Sequence, residues 1–374
     1  MQDCDLDFFE PVAKIVVIGV GGAGNNAVNR MIDEEIANVE FWVANTDKQA
    51  LSTSKALHRL ILGQEITGGL GAGGEPEIGE KAAEASVEDI KEIVKGANMV
   101  FIAAGMGGGT GTGAAPVVAR IARDAGALVI AIVTRPFTFE GKKRVVNSIS
   151  GLNKLKENVD SIIVVSNDKL LMTSGNSAIS SAFNESDKVL AQSVKTVVDL
   201  ILLPAVINLD FADVRNTLKD SGVAMIGFGV GSGPNRAKEA ANNALNSPLL
   251  EASISGARRA IVAVTCGPNV SLFDAQDTVN LLINASGHDV DVKFGVAIND
   301  QLNDEILVSV IASDFEEEID FSTMQPYQPV RPNDNPVLTP LNNNEAEKED
   351  NNENSDDIDV TSILPGFLNN NDLN

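Results

Sequence analysis

The sequence predicts an α/β protein: a doubly wound, mostly parallel sheet followed by a second α/β domain with a mixed sheet. Three observations predict it. Short, uniformly apolar, β-branched runs alternate with helical patterns, as expected of parallel strands buried on both faces. Two glycine-rich stretches each lie between such a run and a helix. One long amphipathic stretch, Phe183 to Leu203, then divides the chain.

Residues 1–11 are acidic and read as a flexible N-terminus. Lys14 to Gly19 reads as the first strand, with Ile15-Val16-Val17-Ile18 fully apolar. Gly19-Val20-Gly21-Gly22-Ala23-Gly24 follows, then Asn25, Asn26 and a helix through about Met31. This matches G-x-G-x-x-G after a strand, a pattern that serves dinucleotides and mononucleotides alike. A second strand, Val39 to Ala44, carries Trp42 as a core residue and ends at Asn45-Thr46-Asp47. Thr67 to Gly74 lies between a strand near Leu60 and a helix over Ile78 to Val94. It reads either as a flexible connection or as a lid over phosphate.

Met99 to Ala104 is the next buried strand, and Gly107-Gly108-Gly109-Thr110-Gly111-Thr112-Gly113 follows it. Ala114 to Ala125 reads as a helix with Pro116 in its first turn and Gly126 just past its end. Backbone N–H groups at a helix start have no helical acceptor, and the dipole is positive there. Glycines let that backbone approach a ligand. The stretch therefore predicts a phosphate cradle. Strands recur at Ala127 to Val133 and Ser161 to Val165. Between them, Thr134 to Gly141 leads into a helix over Lys142 to Leu155, with Glu140 and Arg144 four apart at its start. Their place at the ligand edge of the sheet favours a pair facing ribose and phosphates over an exposed ion pair.

Asn167 follows the strand that ends at Val165, and Asp187 lies in the first turn of the long helix, which Pro204 ends. Asn208-Leu209-Asp210-Phe211-Ala212-Asp213 comes next, before a helix over Val214 to Asp220. Asp210 reads as an N-cap and Asp213 as the acidic partner of a capping box, both on one face of the first turn. Strands at Ala224 to Val230, Ala260 to Thr265, Val292 to Ile298 and Glu305 to Ala312, with helices at Asn235 to Asn246 and Phe273 to Ala285, make the second domain. Arg258-Arg259 reads as a solvated surface pair.

From Glu316 onward Pro, Asn, Asp and Glu dominate, and this tail carries about half of the formal net charge of −24. Apolar residues return in Asp356 to Leu368, which reads as a peptide that docks on a partner. So acidic a chain is not expected to bind nucleic acid or to adsorb to an anionic membrane. It has no signal peptide and no apolar run long enough to span a bilayer, which predicts a cytoplasmic protein. Cys4 and Cys266 read as free thiols; with His58 and His288 the only histidines, neither a His-based metal centre nor a triad is expected.

Two phosphate loops at one sheet edge suit a nucleoside triphosphate. No G-x-x-x-x-G-K-[ST] occurs, so phosphate charge must be met by amides, helix dipoles and Mg²⁺, held mainly by the phosphates rather than by a protein metal site. Guanine presents two adjacent donors on its pairing edge, which one carboxylate accepts; Asp187 with Asn167 nearby therefore favours GTP. Asp210 and Asp213 are candidates to position water, but about twenty residues of helix, at about 1.5 Å each, separate them from the base site. A head-to-tail contact would bring them to a neighbour's γ-phosphate.

Over residues 12–315, and in its terminal peptide, the chain resembles the FtsZ family of bacterial tubulin-like GTPases. The residues that carry the resemblance are Gly21 to Asn26, the glycine-threonine loop Gly107 to Gly113, Thr134 to Arg144, and Asn208 to Asp213. The resemblance implies a Rossmann-like GTP-binding domain (12–176), a central helix (177–203), a catalytic loop and following helix (204–221), a C-terminal α/β domain (222–315), a disordered linker (316–355) and a partner-binding peptide (356–374). It implies that Gly21, Gly22, Ala23, Gly24, Asn25 and Asn26, with Gly108, Gly109, Thr110, Gly111 and Thr112, hold phosphates. Glu140 and Arg144 would face ribose and phosphate, Asn167 and Asp187 would hold guanine, and Thr67 to Gly74 would sense the γ-phosphate. Asn208, Asp210 and Asp213 of one subunit would complete the next subunit's active site. The implied role is a GTP-dependent polymer that forms the division ring at the septum, its terminal peptide binding division proteins or a membrane tether. Two alternatives remain open at this point: an NAD-dependent oxidoreductase built on the first fingerprint, and a nucleotide-gated scaffold that does not hydrolyse.

Overall fold

The computed structural model describes residues 13–173, 179–202, 205–247, 250, 254–286, 290–316 and 321. The expectations for the N-terminus with Cys4, for Pro204, for His288, for the linker other than Glu316 and Phe321, and for the peptide Asp356 to Leu368 lie outside the described residues. The chain runs β1 (Ile15–Val20), α1 (Gly21–Asp33), β2 (Glu40–Asn45), α2 (Lys48–Ser52), β3 (His58–Ile61), α3 (Gln64–Thr67), α4 (Pro76–Ala85), α5 (Val87–Val94), β4 (Met99–Gly105), α6 (Thr110–Asp124), β5 (Leu128–Arg135), α7 (Lys142–Lys156) and β6 (Ser161–Ser166). It continues through α8 (Asn167–Thr173), α9 (Ile179–Leu202), α10 (Phe211–Leu218), β7 (Gly222–Gly231), α11 (Arg236–Leu245), β8 (Ala257–Cys266), α12 (Leu272–Ser286), β9 (Asp291–Ile298) and β10 (Ile306–Phe315).

One ten-stranded sheet has the order β3-β2-β1-β4-β5-β6-β7-β10-β8-β9. Pairing is parallel from β3 through β7. It turns antiparallel where β10 inserts between β7 and β8, and parallel again at β8–β9. The predicted class, parallel first and mixed second, is the observed one. Alternate residues of the apolar strands face opposite cores. Val16, Ile18, Val100, Ile102 and Val129 pack under α4 to α6. Val17, Met99, Phe101 and Ile130 pack under α1, α9 and α10. Burial on both faces is why these strands read as unbroken apolar runs. The stripe Leu190, Val194, Val197 and Val198 of α9 is buried in the second of these cores. A third core lies among α11, α12 and β8 to β10.

Three readings need correction. The helix expected over Ile78 to Val94 is two helices, broken at Ser86, whose φ of −109° and ψ of 20° leave the helical region. The helices start earlier than expected: α1 begins at Gly21 and α6 at Thr110, so Gly21 to Gly24 and Thr110 to Gly113 are first turns, and only Gly107 to Gly109 form a loop before the helix. Pro116 therefore sits inside α6, beyond its first turn. Packing overrides glycine's poor helix propensity here. A Cβ on Gly113 would strike the Pro76 carbonyl, so α4 and α6 touch backbone to backbone. Arg259 is not a solvated residue; its Nε donates to Asp314 Oδ2 at 3.0 Å and its Nη1 to the Asn216 carbonyl at 2.6 Å, tying β8 to α10. Phe321 is fully buried in the first core.

Candidate functional site

The connection from β1 leads to β2 on one side, while β4 pairs with β1 on the other, Val20 opposite Ala104. Strand order reverses at this point, and open α/β sheets form their crevice there, beyond the carboxyl ends of the strands. Both α1 and α6 begin in that crevice. A Cβ on Gly21, which has φ of +73°, would lie 2.7 Å from the Gly111 nitrogen, so the two helix starts abut. Their first-turn N–H groups have no helical acceptor and their dipoles add. An anion is the ligand such a pair of ends accepts.

A cavity of about 320 Å³ opens at this place. Gly22, Ala23 and Asn26 of α1 line one wall, and Gly108, Gly109, Thr110 and Gly111 line the next. The predicted glycines divide into two kinds. Gly22 and Gly108 face open space: a Cβ on either would have no atom within 4 Å. On Gly24 the same group would run into the Ala103 carbonyl. Gly21, Gly24, Asn25 and Thr112 do not line the cavity; they hold its walls. With its amide oriented to suit its neighbours, Asn25 donates from Nδ2 to the Gly21 and Gly19 carbonyls at 2.9 and 3.1 Å. Thr112 Oγ1 accepts from Gly107 N–H at 2.8 Å.

Glu140 and Arg144 line the same cavity and also pair with each other. Glu140 Oε1 accepts from Phe137 N–H at 2.9 Å, which fixes the carboxylate. Asp168, at the start of α8, accepts from Thr138 N–H at 2.9 Å and anchors this turn to the end of β6. At the far end stand Asn167 and Asp187. Burial raises the Asp187 carboxyl from 3.8 to about 7, partly offset by the Arg30 charge. Ser186 Oγ donates to Asn167 Oδ1 at 2.7 Å, with both residues buried. Phe183 also lines the cavity and meets Phe137 edge to face at 5.0 Å between ring centres.

The segment Thr67 to Gly74 packs beside the second loop. A Cβ on Gly109 would lie 2.9 Å from Ala72 Cβ. Thr46 joins the two: its carbonyl accepts from Gly71 N–H at 3.1 Å, and its hydroxyl bonds that of Thr110 at 2.6 Å. Asp210 and Asp213 are not in this cavity's lining. They form a capping box at the start of α10, with Asp213 N–H donating to Asp210 Oδ1 at 2.8 Å. Asn208 Oδ1 accepts from Ala205 N–H at 2.6 Å, and both Asn208 and Asp210 are exposed.

Sequence reasoning missed Ser186, Phe183, Gly105, Met106, Thr134 and Pro136 as lining residues. A signal for two of them was present: Phe183 and Ser186 lie four and one residues before Asp187, and positions i, i+3 and i+4 share a helix face. Two larger cavities, of about 610 and 660 Å³, reach neither glycine loop. Among the described residues no cluster of three His, Cys, Asp or Glu could hold a metal, and no helix is long and apolar enough to cross a membrane.

Comparison with known proteins gives two family matches: residues 14–175 to the Tubulin/FtsZ family GTPase domain, and 222–316 to the FtsZ family C-terminal domain. Among solved structures, an empty FtsZ dimer from M. jannaschii is 41% identical, with a TM-score of 0.79 over 84% of this chain and 91% of that one. A point mutant of M. jannaschii FtsZ is 42% identical, with a TM-score of 0.77 over 81% and 92%. CetZ2 from Haloferax volcanii, as a GTPγS-bound protofilament, shares the fold at 22% identity, with a TM-score of 0.71 over 83% and 96%.

Proposed function

We propose, from the fact that this chain belongs to the FtsZ family, that it binds GTP in the crevice above β1 and β4, assembles head to tail, and hydrolyses GTP between successive subunits. The observation that carries the reading is the convergence of two helix N-termini on one cavity whose other end holds Asn167 and Asp187. The triphosphate lies against the starts of α1 and α6. Arg144 adds a cation, and Mg²⁺, held mainly by the phosphates, neutralises the rest. Ribose lies near Glu140, and guanine lies between Phe183 and the Asn167–Asp187 end. The Asp187 carboxylate accepts from the two adjacent donors of guanine.

Phosphoryl transfer needs an in-line water and charge stabilisation more than a strong base. Asp210 and Asp213 sit on the exposed start of α10 and not beside the cavity, so a second subunit is the source from which they reach a γ-phosphate. A contact between unlike surfaces repeats without closing and gives a filament. The M. jannaschii FtsZ structure, 41% identical, is a dimer, which supports self-association here. We further propose that the filaments build the division ring in the cytoplasm at the septum, with Asp356 to Leu368 docking on division proteins or a membrane tether. The test is phosphate release with GTP against light scattering. GTP, and not GDP, is expected to raise scattering and to release phosphate in step with it; phosphate release with no rise in scattering at any concentration would contradict the reading.

A further inference from the structure

Given the reading that the cavity takes the phosphates of GTP, on which this rests, we infer that Asn147 is a positioning residue. Its amide locks the Gly107–Gly108 peptide so that the Gly108 N–H is held as a donor to the phosphates beyond the first.

Of the N–H groups between β4 and α6, two are satisfied within the chain. Met106 N–H donates to the Thr134 carbonyl at 2.9 Å, and Gly107 N–H to Thr112 Oγ1 at 2.8 Å. Those of Gly108 and Gly109 have no acceptor among the described residues, although Gly109 is buried. An unpaired N–H beside a cavity is a donor left for a ligand. Its direction depends on the peptide plane that carries it, and with glycine on both sides the Gly107–Gly108 plane flips at little steric cost. Among the described residues one hydrogen bond holds that plane: Asn147 Nδ2 donates to the Gly107 carbonyl at 3.4 Å. In a trans peptide the carbonyl and the next N–H point opposite ways. Gly108 lines the cavity and Asn147 does not, so a carbonyl held toward Asn147 turns the Gly108 N–H toward the cavity. The same Nδ2 also donates to the Gly74 carbonyl at 3.3 Å. Backbone carbonyls only accept, so the two of them fix which end of the amide faces the loop. The rest of α7 is set for this contact. A Cβ on Gly107 would lie 2.8 Å from the Arg144 carbonyl, one turn before Asn147, and Lys143 Nζ pairs with Glu75 Oε1 at 2.5 Å. One face of α7 thus ties down both the glycine loop and the end of the Thr67 to Gly74 segment.

The test is nucleotide binding by the full chain, wild type and Asn147→Ala, at concentrations below the onset of assembly. GTP, GDP and GMP each displace a fluorescent GTP analogue. The three share base, ribose and first phosphate and differ only in the phosphates beyond it. Asn147→Ala is expected to weaken GTP and GDP by about three- to fivefold, the worth of one net hydrogen bond at the long end of the range, and GMP by less than about twofold. An equal loss on all three, or no loss with GTP, overturns the assignment, because a residue that merely supports the fold does not distinguish the number of phosphates. Should Asn147→Ala unfold at the assay temperature, Asn147→Leu, of similar shape and without a donor, carries the same comparison. Failure of the wild-type chain to bind GTP at all would instead overturn the reading on which this one rests.

Discussion

At the scale of single residues, Asp187 makes the site sensitive to pH. Burial lifts its carboxyl from 3.8 to about 7, so the folded chain keeps a proton through a window in which the unfolded chain has released it. The unfolded state then binds fewer protons than the folded one, and stability contributed by this group falls as pH rises from about 4 to about 7. Binding runs the other way under the proposed function, in which guanine is held by the carboxylate. GTP affinity is expected to rise through pH 6 to 7 and level off above, with proton release on binding below pH 7. Calorimetry in two buffers of different ionisation enthalpy checks this, and Asp187→Asn should abolish the dependence. A second prediction separates the glycines. Gly22→Ala and Gly108→Ala meet no protein atom, so stability should hold while GTP affinity drops. Gly24→Ala and Gly113→Ala strike backbone carbonyls and should cost about 3 kcal/mol or more in urea unfolding. This division was illegible in the sequence. Composition marks a glycine but not what stands opposite its missing side chain, which is set by helices and strands brought together from elsewhere in the chain. Ser186 was missed for the same reason: its partner, Asn167, is nineteen positions away.

At the scale of elements, the capping box on α10 has a structural role and a proposed one in hydrolysis, and substitution can separate them. Asp210 accepts from Asp213 N–H whether it is charged or an amide. Asp210→Ala should therefore cost about 1 kcal/mol of stability as well as hydrolysis. Asp210→Asn should keep the cap and the unfolding midpoint, keep GTP binding, and lower turnover at least about tenfold, about 1.4 kcal/mol in barrier. Loss of GTP binding in Asp210→Asn would place that residue in its own subunit's pocket. Most elements were legible because the central strands, β1, β4, β5 and β6, are buried on both faces and the longer helices carry an apolar stripe. The box itself was legible, since Asp210 and Asp213 have the right spacing for it. What failed were helix starts. Glycine's weak propensity argued for loops at Gly21 to Gly24 and Thr110 to Gly113, yet both are helical because the close contacts of α1 and α6 require residues without side chains.

At the scale of the whole molecule, the sheet explains the division of labour. Its parallel half ends in the crevice where α1 and α6 begin, and α9 runs on from Asp187 to the segment before α10. The proposed nucleotide cradle and the acidic pair proposed to position water thus lie on separate surfaces of one chain. The parallel and mixed halves were legible from the alternation of strands and helices. Their joining into one sheet through β6 and β7 was not, because Ser161 opposite Gly222 is a pairing across sixty residues of intervening chain. The decisive measurement is GTP turnover per subunit across a range of protein concentrations that spans the onset of scattering. The account predicts near-zero turnover below that onset and a steep rise to a plateau above it. Full turnover by dilute, unassociated chains would contradict it.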